Sequence, residues 1–112
     1  MKRLSLAIAV VALSLGAPAI TQQTTFSSPA TEEFKALRMK MMQDMQAPLS
    51  GVADLDFMRQ MRSHHQQALE MAKVEMKHGK DAQARDLATS IIDQQSKEIA
   101  IIDQWLATKG KY

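Results

Sequence analysis

From residue 81 to about residue 107 the apolar side chains recur with the period of a helix: Ala84, Leu87, Ala88, Ile91, Ile102, Trp105 and Leu106 fall on one side. No segment of the chain alternates with period two, so strands are not expected. A second helical stretch starts after Asp54 or Asp56 and reaches His78, with Gly79 placed to close it in the left-handed conformation and Asp81 placed to cap the next helix. So short a turn between two long helices implies an antiparallel hairpin. Upstream, Thr31 is a candidate N-cap ahead of Glu32 and Glu33. It opens a shorter helix to about Gln46, which Pro48 and Gly51 terminate and whose inner face is Phe34, Leu37, Met41 and Met45. The expected fold is all-α, a hairpin plus one N-terminal helix. Three helices leave an open flank, so a four-helix bundle would need a second chain or a helix that the pattern does not reveal.

The N-terminus has the features of a secretion signal, residues 1–19. Lys2 and Arg3 give a positive start, Leu4 to Leu15 are an apolar run, and Ala17-Pro18-Ala19 places small residues at a cleavage point. That run is shorter than the roughly 20 residues a membrane-spanning helix requires, so permanent membrane insertion is not expected. Removing 19 of 112 residues leaves about 93, enough for one domain and one modest core. Residues 20–30, rich in Thr, Gln and Ser, have the composition of a flexible leader. Residues 31–107 then form the helical domain, and 108–112 a C-terminal tail. The expected location is the periplasm or the exterior.

Without Lys2 and Arg3 the 14 basic residues fall to 12, equal to the 12 acidic ones, so the mature chain is neutral. It has no basic stripe interleaved with aromatics, and nucleic acid is not an expected partner. The absence of cysteine excludes disulfides, thiolate metal sites and cysteine nucleophiles. Thioether and imidazole remain as soft and borderline ligands. Of nine methionines, all except Met1 lie between Met39 and Met76, a clustering that calls for a cause.

The stretch Phe57 to Ala72 carries the chemistry. On a helix, Met61, Ala68 and Ala72 share the centre of the inner face, His65 and Met58 lie to one side, and His64 and Met71 to the other. Met61 precedes His64 by three residues and His65 by four, so a thioether and an imidazole of one helix can approach the same ion. Met71 is about 10.5 Å along the axis from His64 and cannot share that ion unaided. With a turn near residue 80, His65 faces Gln95 and Met61 lies close to Glu98. Both polar residues sit on the apolar stripe of the third helix and need partners, for which the N–H of a metal-bound histidine is suited. The same arithmetic around residue 50 brings Met41, Met42 and Met45 near Met58.

Some of these side chains have plainer roles. Met45 and Met76 are better explained as adaptable core filler. His78, at a helix C-terminus, is suited to the last carbonyls and the helix dipole. Glu75 and His78 have the Glu-x-x-His spacing of di-iron bundles, but one chain supplies a single copy.

From about Asp54 to Leu106 the chain resembles a bacterial family, the domain of unknown function numbered 305, through Phe57, Met61, His64-His65-Gln66, Ala68 and Met71-Ala72, then Leu87-Ala88, Ile91, Gln95, Glu98-Ile99 and Trp105-Leu106. The resemblance implies a ferritin-like helical bundle and binding of Cu(I) or Ag(I) by Met and His, carried over here to Met61, His64, His65 and Met71. The chain departs from the family pattern at Arg62 and Ser63, where an apolar residue and proline are usual, at Gln67, where glycine is common, and at Ile102, often methionine. The expected function is non-enzymatic copper binding that sequesters or hands on the ion, with Met41 and Met58 as further ligands and Cu(II) on the two imidazoles as a variant. The alternative is a helical module that uses a methionine-rich surface for a protein partner or for self-association as a homo-oligomer. No nucleophile triad, phosphate loop or acid–base carboxylate pair marks an enzyme.

Overall fold

A computed structural model describes residues 27–111. They form three helices, α1 (Pro29–Asp44), α2 (Ala53–His78) and α3 (Ala82–Lys109), with no strand among the described residues. The residues of the expected signal, 1–19, lie outside that range.

Helix α1 begins earlier than its acidic turn suggests. Ser28, not Thr31, is the N-cap: its hydroxyl accepts from the Thr31 N–H at 3.1 Å, and Pro29 sits at the first helical position, where its missing N–H costs nothing. The helix therefore takes in two residues that composition assigned to the leader, and it ends at Asp44 rather than Gln46.

Helix α2 has Val52 at its N-cap, a residue with no side chain to offer. Asp56 compensates by reaching back: its carboxylate accepts from the N–H and hydroxyl of Ser50, both at 2.7 Å, and from the Gly51 N–H at 3.1 Å. Those bonds, the Ser50 backbone first, hold the Asp56 carboxyl below its ordinary 3.8. Gly51 has φ +83°, a conformation that a Cβ disfavours.

Gly79 is not left-handed. Its φ of −70° and ψ of 150° are extended, and what requires glycine there is space, since a Cβ would lie 2.7 Å from the Glu75 carbonyl oxygen. The orphan carbonyls at the end of α2 are met from α3 instead, where Arg85 donates to the Met76 and Gly79 oxygens at 2.8 and 3.1 Å. Asp81 caps α3 as expected, accepting from the Ala84 N–H at 2.9 Å.

Helix α2 is central: it packs against both α3 and α1, while α1 and α3 make no contact with each other. The buried apolar residues are Leu55, Leu69, Ala72 and Val74 of α2 with Ala88 and Ile102 of α3. Leu87, placed by periodicity on the inner stripe, is exposed, and the flank of α3 carries Ile101 in the open.

Helix α1 buries no side chain. Phe34 and Leu37 of its expected inner face are half-buried, whereas Met41 is 37% exposed and Met45 is 80% exposed, so Met45 is not core filler. Polar contacts at both ends attach the helix. Glu33 accepts from Lys77 at 2.6 Å and from His78 at 3.0 Å. Asp44 accepts from Ser63 at 3.0 Å and from the Gln67 amide at 3.3 Å. His78 thus contacts a carboxylate of α1, and the carbonyls assigned to it belong to Arg85.

Candidate metal centre

The side chains on α2 divide between two grooves. The first, about 380 Å³, lies between α1 and α2, with Met41 and Met45 on one wall and Met61 and His64 on the other. The second, about 250 Å³, lies between α2 and α3 and is lined by Phe57, Met58, Met61, His65, Glu98, Ile101 and Ile102. Met61 lines both. The rings of His64 and His65 are 6.0 Å apart and inclined at 69°, so adjacent residues serve different grooves, as the 100° step of a helix requires.

His65 is the better positioned imidazole, 15% exposed. Its Nδ1 lies 2.7 Å from the Met61 carbonyl oxygen one turn earlier, and its Nε2 lies 2.5 Å from Glu98 Oε2. A carbonyl can only accept, so Nδ1 carries a hydrogen and the ring orientation is fixed by its own helix. Nε2 therefore faces the carboxylate. A cation between them would meet an imidazole nitrogen on one side and a carboxylate oxygen on the other, with the thioethers of Met58 and Met61 lining the same groove.

The register differs from the arithmetic of a turn at residue 80. Cross-helix contacts join Met76 with Arg85, His65 with Glu98 and Arg62 with Asp103, so His65 meets Glu98 and not Gln95. The offset grows with distance from the turn: Met76 and Arg85 sum to 161, His65 and Glu98 to 163, Arg62 and Asp103 to 165. The Oε1 of Gln95 is buried without a hydrogen-bond partner among the described residues.

The remaining candidates are spread out. Met71 is 48% exposed and lines neither groove; Met42 and Met39 are likewise exposed. Met41 and Met45 meet the His64 groove and not Met58. Among the described residues no three His, Asp or Glu side chains converge as a metal-ligating group. A centre here would draw on thioether sulfur.

Asp44 was not apparent from sequence. Its carboxyl is held below its ordinary 3.8, first by the hydrogen bond from Lys40 and next by that from Ser63. Both of its α2 partners, Ser63 and Gln67, are departures from the family pattern. A third departure, Arg62, pairs with Asp103 of α3 at 2.6 Å. Those substitutions could have signalled that α2 is tied to its neighbours by polar side chains in this chain.

An all-helical domain with a methionine and two histidines at the junction of its helices is what the described residues define. Residues 54–112 match the family described as a domain of unknown function, DUF305, and the chain belongs to it. No curated protein matches the chain. No helix among the described residues is long and apolar enough to cross a membrane.

Proposed function

We propose that the protein binds Cu(I), with Ag(I) as its soft analogue, after export to the periplasm or beyond, and sequesters the ion or hands it on. The observation that carries this reading is the position of Met61, whose side chain lines two grooves that each hold one histidine. Thioethers suit a soft monovalent ion, and with no cysteine in the chain they are the softest donors present. The groove with His65, Met58, Met61 and Glu98 is the principal centre. Glu98 acts there beside the ion, while the orienting hydrogen bond comes from the Met61 carbonyl. The two imidazoles line different grooves, which does not suit a single Cu(II) shared between them. Met71, on the outer surface of α2, is not needed. The activity is binding, not catalysis.

Equilibrium dialysis against Cu(I), with Ag(I), Cu(II) and Zn(II) alongside, tests the proposal. The soft ions should bind with dissociation constants below the micromolar range. No binding tighter than micromolar would refute it.

A second reading has its own observation. Phe57 of α2 and Leu87 and Ile101 of α3 are exposed, and α1 and α3 make no contact with each other. A second copy that completes a ferritin-like bundle would cover such apolar side chains. Light scattering in the presence of a chelator separates the readings: a stable dimer that ignores chelation favours an interaction module.

A further inference from the structure

The groove between α1 and α2 is built differently from the one that holds His65. His64 has no hydrogen-bond partner among the described residues, and its ring opens on a groove whose walls bring Met41 of α1 opposite Met61 of α2. Of the other polar groups on that groove, Asp44, Asp56, Gln60, Ser63 and Gln67 are engaged in hydrogen bonds among the described residues, and Arg59 alone is not. Asp44 takes the Ser63 hydroxyl, the Gln67 amide and the Lys40 ammonium, so it binds α1 to α2 at the level of His64 and leaves the imidazole free. The residues of α1 precede the span 54–112 that matches the family, so the Met41 wall of this groove lies outside that match.

We infer that the α1–α2 groove takes a second soft monovalent cation, held by Met41, Met61 and His64, separate from the ion held by His65 and Met58 in the α2–α3 groove. Two thioethers and one imidazole form a neutral three-donor set suited to Cu(I) or Ag(I). Met61 lines both grooves, so it belongs to the principal centre when one ion is bound and serves this ion when both are, the α2–α3 groove then retaining His65, Met58 and Glu98. The second ion has a mechanical effect that the first lacks. Because α1 buries no side chain, a bridge from Met41 to Met61 and His64 would staple a weakly attached helix to α2. The inference rests on the proposed binding of soft ions.

Ag(I) alone is the probe. Native mass spectrometry of the purified protein should show two ions per chain, and amide exchange in α1 should slow at least 10-fold as the second ion binds. Met41→Leu combined with His64→Gln should leave one ion and abolish the slowing; Met41→Leu preserves volume and apolarity at a partly exposed position, so folding is not at issue. Met58→Leu combined with His65→Gln should also leave one ion but retain the slowing. Met39→Leu, exposed and outside both grooves, should change nothing. A single ion indifferent to Met41→Leu and His64→Gln, or two ions with α1 exchange unaltered, would overturn the second site while the proposed function stands. No Ag(I) on any form would refute both.

Discussion

Replacing Met61 with leucine separates ligand from packing, because the swap deletes the sulfur and keeps the apolar volume. Met61 is half-buried, and a volume-conserving exchange at such a site costs under about 1.5 kcal/mol. At roughly 0.05 to 0.15 kcal/mol per residue, a domain of this size has a stability of about 4 to 13 kcal/mol. Even from the lower bound, losing about 1.5 kcal/mol leaves roughly 99% of the chains folded. Unfolding therefore cannot reduce apparent metal affinity measurably. The loss of a direct ligand should exceed the roughly 10- to 100-fold characteristic of supporting residues, and ten-fold corresponds to about 1.4 kcal/mol of binding. Competition with a chromogenic Cu(I) chelator, run beside a denaturant titration, reads both quantities. Wild-type affinity in Met61→Leu would show that Met61 only packs and would remove the observation on which the functional reading stands.

Leu55 is 2% exposed at the start of α2, and Leu55→Ala should cost about 2 to 5 kcal/mol by urea denaturation, a large share of the total for so small a core. Glu98→Gln should shift stability by less than about 1 kcal/mol, because Glu98 is 54% exposed, yet lower Cu(I) affinity about 10- to 100-fold by removing a negative charge beside His65 Nε2. An unchanged affinity in that variant would restrict Glu98 to pairing with the histidine. The Glu33 carboxyl is held below its ordinary 4.5 by Lys77 and then His78, and that of Asp44 below 3.8 by Lys40 and then Ser63. Groups lowered in this way stabilise the docked helix above their ordinary values and cease to do so as pH falls through the native ones. Amide exchange in α1 should therefore accelerate at acid pH before that of α2 and α3, and simultaneous loss in all three helices would contradict this account.

Helix placement and the paired-helix region were legible because they depend on local signals: period, caps and breakers. Asp81 fulfils its capping role, and α2 ends at His78 as the pattern indicates. What failed were inferences of register and orientation, which depend on where side chains settle in three dimensions. The partner of His65 is Glu98 and not Gln95, because the pairing drifts away from the turn, from a sum of 161 at Met76 and Arg85 to 165 at Arg62 and Asp103. That Met41 and Met45 are so exposed followed from an attachment of α1 through Glu33 and Asp44, and a helical wheel does not report how deeply its apolar side is buried. Met61, His64 and His65 were recognisable as a group. Their division between two grooves was implicit in the 100° step but became definite only once α1 and α3 were each placed against α2.

The polar attachment of α1 has a calorimetric consequence. The heat-capacity increase on unfolding comes mainly from newly hydrated apolar surface, and α1 has little to expose because none of its side chains is buried. Lifting it from α2 should be almost invisible in a scanning calorimeter, whose main peak will report the α2–α3 pair alone. The ion pair of Glu33 with Lys77 should instead make that motion responsive to ionic strength, so dilute and concentrated buffers would populate different numbers of packed helices at the same temperature.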